Sequence, residues 1–230
     1  MSLLVAVPVK ETLHPTLKAR ACELAGAVCA EARNRELFGE VTLGWHEDLQ
    51  PPTPPLGAGK FWHQARARND LLAAWLEPKH EWVLWVDADL VDYPADLPAQ
   101  LYAASPGDIV APLVLIEGTD RFYDTLGFIH GGQRTPARPP YWPGANGSSL
   151  VELESVGCIY LMPAWVLRSG VAYASPPVDK DVDHPSLWNT GHTDHWPVMQ
   201  QARALGVGIY CYTATAAYHA ILPNFGEAYH

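Results

Sequence analysis

The stretch Glu81-Trp-Val-Leu-Trp-Val-Asp87-Ala-Asp89-Leu-Val-Asp92 decides the fold. An unbroken apolar run, Trp82–Val86, stops at two carboxylates separated by one residue. Continuous hydrophobicity of this kind marks a strand buried on both faces, as in a parallel sheet covered by helices. Ligands of open α/β sheets bind at the carboxyl ends of the strands, so these acids stand where chemistry can occur. Side chains at i and i+2 can turn towards one point as a strand gives way to a loop. There they can hold a hard divalent cation, which in turn bridges diphosphate oxygens. Without a cation the two acids repel each other and a diphosphate alike. The competing reading is a solvated acidic loop.

Outward from this strand the pattern alternates. Upstream, Leu3–Val9 is a buried strand, Pro15–Arg35 a helix with proline in its first turn, and Val41–Trp45 a short strand. The Pro- and Gly-rich segment from Gln50 to Gly59 is an exposed loop, and Phe61–Leu76 returns to helix. Downstream, a helix precedes a fourth strand at Asp108–Ile116. Leu150–Met162 reads as a strand pair, Pro163–Ser169 as a short helix, Asp194–Leu205 as a helix and Val207–Thr213 as a last strand. Strands alternating with helices give an α/β fold whose sheet is mixed and mostly parallel, flanked by helices. No repeat or composition break divides the chain, so residues 1–230 are read as one domain. The loop Gly131–Ser149 is long enough to be a lid or a binding loop. Its Tyr141-Trp142, like Trp188, fits either a sugar-stacking surface or ordinary packing.

The chain has 230 residues, 48% of them hydrophobic and 17% charged, a globular composition. Its 15 Lys and Arg against 25 Asp and Glu leave a net charge of −10, which disfavours a phosphate backbone as the main partner. Nucleic acid is expected to play at most the part of an acceptor. No apolar run reaches the roughly 18–20 residues of a membrane span, and the start lacks the basic region of a signal peptide. Cys22 and Cys29 lie seven apart on one helix, about 10 Å at 1.5 Å per residue, too far for a disulfide. The four cysteines read as free thiols of a reducing compartment, and a cytoplasmic location is the expectation.

The segments His63-Gln-Ala-Arg-Ala-Arg-Asn69 and Trp82–Val91 resemble nucleotide-sugar-dependent glycosyltransferases of the GT-A (Rossmann-like) fold. Within that fold they are most similar to the fungal mannan-polymerase subunit family. Asp108-Ile-Val-Ala-Pro-Leu-Val, Phe122-Tyr-Asp-Thr-Leu-Gly-Phe, Glu154-Ser-Val-Gly-Cys-Ile-Tyr-Leu, Thr193-Asp194 and Tyr218-His219 follow in the family's order, over about residues 60–220.

The resemblance implies that Asp87 and Asp89 bind Mn²⁺ or Mg²⁺ and the donor diphosphate, with His219 as a further metal ligand. Pro8 and Val9, at the end of the first strand, would meet the nucleotide through backbone groups, and Arg68 and Asn69 would complete the donor site. Asn69 could instead brace the acidic loop, and Arg68 could be a solvated charge on a helix face. Asp194 takes the place of the catalytic acid, though it fits equally a helix N-cap. Tyr123, Asp124, Gly157 and Trp188 would line the sugar and acceptor region; for the first three, core packing and a tight turn are the competing reading. Residues 1–115 would form the nucleotide-binding half and 116–230 the sugar and acceptor half. The implied activity is transfer of a sugar from a GDP- or UDP-sugar to the hydroxyl of a carbohydrate or other acceptor. The fungal relatives carry a membrane anchor, so their location and acceptor do not follow.

Three other functions use the same residues. A metal hydrolase could draw on Asp179-Lys-Asp-Val-Asp-His184, His192, Asp194 and His195, although no HExxH spacing is present. A nucleotidyltransferase could use the two-acid site, but Pro8–Glu11 is not a Gly-rich basic loop. An inactive nucleotide-sugar-binding subunit would not need an intact Asp-Ala-Asp.

Overall fold

The computed structural model describes residues 1–10, 13–48, 53, 61–142, 148–174 and 193–221. Eight strands form one mixed sheet: β1 (Ser2–Lys10), β2 (Glu40–Asp48), β3 (Trp82–Val86), β4 (Leu90–Asp92), β5 (Ile109–Ile116), β8 (Leu150–Glu152), β9 (Ile159–Pro163) and β10 (Ile209–His219). Their order is β2-β1-β3-β9-β5-β10-β4, with β8 also on β10. Strands β2, β1 and β3 run parallel to one another, as do β5 and β10; β9 lies antiparallel between β3 and β5. Helices α1 (Pro15–Asn34), α2 (Trp62–Trp75), α3 (Leu97–Ala104), α4 (Ala164–Arg168) and α5 (Trp196–Ala204) flank this sheet. This is the mixed, mostly parallel GT-A architecture that the sequence implies. Among the described residues no helix is long and apolar enough to cross a membrane.

Local chemistry explains the elements. All five residues of β3 are buried, as a central strand covered on both faces requires. In α1 the buried positions Ala21, Leu24, Ala25, Val28, Cys29 and Ala32 repeat at helical spacing, and Pro15 opens the first turn. Its Cys29 is buried and Cys22 exposed, both free thiols, as are Cys158 and Cys211. The expected last strand is longer than its sequence suggests. Between Tyr212 and Ala216 its register with β5 shifts, and the strand then continues to His219. A bulge of this kind breaks the period-two pattern by which a strand is read.

The loop from Gly131 is partly ordered by its own turn. Strands β6 (Ile129–His130) and β7 (Gln133–Arg134) pair across Gly131 and Gly132, whose φ values of 58° and 73° suit a two-residue hairpin turn. Tyr141 and Trp142 then pack on Phe122, with ring centroids 5.4 and 5.7 Å away, and Trp142 Nε1 donates to Thr135 Oγ1 at 3.1 Å. These two aromatics therefore anchor the loop, and Trp142 offers little face to a sugar. Trp188, the other stacking candidate, lies outside the described residues.

One buried histidine ties the turn before β3 to the sheet. His80 Nδ1 accepts from the Glu77 N–H at 3.0 Å, so Nε2 carries the hydrogen and donates to Thr42 Oγ1 at 3.0 Å. Burial pushes this imidazole below its ordinary value. The unfolded chain then binds a proton more readily than the folded one, so stability is full above the ordinary histidine value of 6.5 and falls as pH drops below it. The urea midpoint is expected to decline between pH 7 and pH 5.5, and His80→Gln to flatten that slope. Equal slopes in the two proteins would overturn the assignment.

Candidate active site

The two acids of the central motif lie on a tight turn. Leu90 N–H donates to the Asp87 carbonyl at 3.2 Å, and Asp87 N–H donates to the Cys158 carbonyl at 2.9 Å, which pins the turn to the chain entering β9. From this turn the carboxylates take different partners. Asp87 Oδ1 accepts from Arg68 Nη2 at 2.6 Å, while Asp89 Oδ2 lies 3.1 Å from His219 Nε2. Among the described residues no three acidic, histidine or cysteine side chains converge as a ready-made metal cluster. The expected trio of Asp87, Asp89 and His219 thus divides: Asp89 and His219 face each other, and Asp87 is drawn to a buried cation.

The pair Asp89–His219 calls for one positive charge between its facing atoms, a proton or a metal ion. His219 Nδ1 lies 2.8 Å from the Ala220 carbonyl, which can only accept, so Nδ1 carries the hydrogen. In the neutral ring this aims the Nε2 lone pair at a carboxylate, and Nε2 is buried without a hydrogen-bond partner. The repulsion is relieved only by a proton or a metal ion. Burial pushes the His219 imidazole down, but the Asp89 carboxylate beside it prevails and raises it. Asp89 shifts in the complementary sense: burial raises it, and His219 outweighs that to hold it low. Adjacent ligands of an octahedral ion at 2.0–2.1 Å lie about 3 Å apart, close to the separation seen here. The carbonyl-bound Nδ1 also matches the outer hydrogen bond by which metal-ligating histidines are oriented. These residues therefore fit a divalent ion.

The backbone fixes both partners. Ala220 N–H donates to the Asp89 carbonyl at 3.0 Å, and His219 pairs with Leu90 and Ile116 across β4 and β5. Tyr123 stacks on the His219 ring with centroids 3.4 Å apart and planes 14° from parallel.

Arg68 is no solvated helix charge. It is 3% exposed, and its guanidinium bonds Asp194 Oδ2 through Nε at 2.9 Å as well as Asp87 through Nη2. Its carbon centre lies 5.1 Å over the Trp85 ring and 5.7 Å over Tyr173. Burial disfavours this charge, but Asp87 and Asp194 more than offset that and hold the proton firmly. Its Nη1 is buried without a hydrogen-bond partner. Asp194 does not cap α5, whose N-cap residue is His195; its carboxylate is buried against Arg68.

His195 joins the same network. Its Nε2 accepts from Arg68 Nη2 at 3.3 Å, so Nδ1 carries the hydrogen towards Tyr160 Oη at 3.2 Å, and Tyr160 Oη lies 2.8 Å from Tyr173 Oη. Burial holds this imidazole below its ordinary value.

Asn69 is engaged elsewhere. Its amide donates to the Tyr173 carbonyl at 2.8 Å and accepts from the Tyr173 N–H at 3.0 Å. The amide thus braces the segment after α4, with both of its ends partnered. Pro8 and Val9 do flank the acidic turn. Pairing of β1 with β3 stops at Ala6 opposite Trp85, whereas pairing with β2 continues to Lys10, so Pro8 and Val9 run past the end of β3.

Asp124 sits in a cradle of backbone. Its Oδ1 accepts from Gly127 N–H at 2.8 Å and its Oδ2 from Cys158 Sγ at 3.3 Å. A Cβ at Gly127 or Gly157 would overlap this carboxylate where it now lies, so a larger residue at either position would displace it. Cys158 itself has φ of 57°, in the left-handed region, which turns its carbonyl towards Asp87 and its thiol towards Asp124.

Sequence reading missed His195, Tyr160, Tyr173, Gly127 and Cys158 as parts of this centre. The Asp194-His195 pair is a signal for the first, which the sequence offers only as part of the rival metal-hydrolase set. Most of that set, residues 179–184 and His192, lies outside the described residues.

The class that fold and site define is the GT-A fold with an acid–histidine pair at the carboxyl edge of its sheet. Residues 63–131, which carry Arg68, Asp87, Asp89, Tyr123 and Asp124, match the model of the Anp1 family. Comparison with curated proteins finds no match. Among solved structures, a mycobacterial protein is 15% identical with a TM-score of 0.50, covering 97% of this chain and 68% of its own. Drosophila β1,4-galactosyltransferase 7, solved with manganese, UDP-Gal and xylobiose, is 11% identical with a TM-score of 0.47, covering 99% and 73%. TarS of S. aureus, in complex with UDP-GlcNAc, is 11% identical with a TM-score of 0.45, covering 100% and 62%. At such identities the likeness concerns the fold alone.

Proposed function

We propose that the chain is a metal-dependent glycosyltransferase that moves a sugar from a GDP- or UDP-sugar to an acceptor hydroxyl. The observation that carries this reading is the Asp89–His219 pair, an imidazole Nε2 3.1 Å from a carboxylate oxygen at the strand edge where nucleotides bind. The match of residues 63–131 to the Anp1 family, which is related to mannan polymerase, supports the same reading and favours a GDP-sugar.

Asp89 and His219 would hold Mn²⁺ or Mg²⁺, with Asp87 beside them; bound there, such an ion supplies Lewis-acid stabilisation to a departing diphosphate. The protein's own groups do the rest. Arg68 fixes Asp87 and ties the acidic turn to Asp194, so the donor-facing edge is set before substrate arrives. Pro8 and Val9 border the nucleotide, as β1 outruns β3. Tyr123 holds the plane of the His219 ring. The site draws Arg68, Asp87 and Asp89 from the nucleotide half, residues 1–115, and Asp124, Asp194 and His219 from the sugar and acceptor half, residues 116–230.

Binding to the native state raises stability by mass action, about 2.7 kcal/mol at a ligand concentration 100 times Kd. For a domain of this size that is a rise in Tm of several degrees. A nucleotide sugar of the GDP or UDP series is expected to produce this rise with Mn²⁺ and to lose most of it in EDTA. If no nucleotide sugar shifts Tm in the presence of Mn²⁺, the reading fails.

A further inference from the structure

The shift of register in β10 opens a cavity at the edge of the sheet. Pro112 and Leu113 are consecutive in β5, yet they pair with Tyr212 and Ala216, so Thr213, Ala214 and Thr215 have no partner residue there. The strands on the other side of β10 leave the same break. Strand β8 covers Tyr210–Tyr212, with the Ser149 carbonyl accepting from the Thr213 N–H at 2.7 Å, and β4 covers only Tyr218 and His219. At this break lies a cavity of about 530 Å³, lined by the three bulged residues, by Ala216 and Tyr218, and by Tyr93 on the chain leaving β4. Its volume is that of a small-ligand site. Bulges recur where a strand edge must present side chains to a ligand.

The lining selects the ligand. Among the described residues no lysine or arginine borders the cavity, and the one charged side chain that does, the exposed Asp92, is an acid. A phosphate, a diphosphate or a nucleotide would be repelled. What the cavity offers is neutral: the hydroxyls of Thr213 and Thr215, the ring of half-buried Tyr218, and small residues at 214 and 216 that leave room beside that ring. Tyr93 is 4% exposed, and its Oη is buried without a hydrogen-bond partner. Hydroxyls set around an aromatic face suit a pyranose, whose rim makes hydrogen bonds while its C–H face packs on the ring.

We infer that this cavity is a remote carbohydrate subsite, which holds a neutral sugar unit of the acceptor away from the reacting hydroxyl. Its role towards an acceptor rests on the glycosyltransferase reading; its affinity for sugar does not. Tyr218 directly precedes His219, so the cavity begins one residue from the proposed metal pair. From Thr213 to His219 the strand spans at most about 20 Å at 3.3 Å per residue. An oligosaccharide bridges that interval and a monosaccharide does not. Binding energy from such a remote unit serves to orient the end that reacts.

The test measures binding of neutral probes, methyl α-mannoside, mannotriose, maltotriose and xylotriose, to the full chain by saturation-transfer NMR and calorimetry, without donor or metal. At least one trisaccharide is expected to bind with a dissociation constant of about 0.1–10 mM. Ala214→Arg extends a long side chain across the cavity from an exposed position, and should weaken that binding at least about tenfold. Tyr218→Leu keeps an apolar side chain but removes the ring, and should weaken it by about three- to tenfold. The rise in Tm that a nucleotide sugar produces with Mn²⁺ should persist in Ala214→Arg, which also shows that the variant is folded. The inference is overturned if no probe binds the parent, if Ala214→Arg binds as the parent does, or if inorganic phosphate displaces the sugar. Sugar binding that Ala214→Arg abolishes, in a chain that binds no nucleotide sugar, would uphold the carbohydrate site and overturn its role towards an acceptor together with the glycosyltransferase reading.

Discussion

Replacing Asp89 with alanine is expected to lower Mn²⁺-dependent donor turnover by at least about 100-fold while leaving the fold intact. The loss is large because the substitution removes one of the two groups that fit the ion and leaves His219 alone in a buried position. Folding should tolerate the change. The Asp89 side chain is 21% exposed, and the turn is held by backbone bonds, Leu90 N–H to the Asp87 carbonyl and Ala220 N–H to the Asp89 carbonyl. Asp92→Ala is the control. It belongs to the same acidic run but lies at the exposed end of β4 and should behave as the parent. Turnover and the Mn²⁺-induced change in Tm should fall together in Asp89→Ala. A variant that keeps both would overturn Asp89 as a ligand of the ion.

How far this site was legible in the sequence depends on the range of the interactions. The β3 strand and its two acids were readable because burial on both faces leaves a local mark, five apolar residues stopped by charge. The helices α1 and α2 were readable too, from a first-turn proline in α1 and a run rich in Ala, Leu and Arg in α2. The end of β10 was not, because the shift between Tyr212 and Ala216 interrupts the alternation, and the expected strand stopped at Thr213, six residues short of His219.

The role of Asn69 was hidden by distance. Its partner Tyr173 is 104 residues away, and nothing in Arg68-Asn69 shows that one side chain turns into the core while the other binds a remote backbone. Asp194 illustrates the limit of a positional analogy. An acid just before a helix reads as a cap or a base, and only the fold shows its carboxylate facing a guanidinium 126 residues earlier in the chain.

Arg68→Met is expected to destabilise the protein by about 3–5 kcal/mol, the largest stability effect among these substitutions. Methionine fills much of the arginine stem and can still lie against Trp85 and Tyr173, so packing alone does not account for such a loss. The cost arises from what remains. Asp194, with a side chain 4% exposed, keeps a carboxylate and loses its cation, and Asp87 loses the same partner. His195 also loses the donor to its Nε2.

A buried pair replaced as a unit behaves differently from one that is broken, because its desolvation cost disappears with both charges. The double variant Arg68→Met/Asp194→Leu should therefore be at least as stable as Arg68→Met alone, giving a coupling of opposite sign to simple addition of two losses. Urea unfolding of the parent, the two single variants and the double variant measures this directly. If the two losses simply add, Arg68 is not the counter-ion of Asp194.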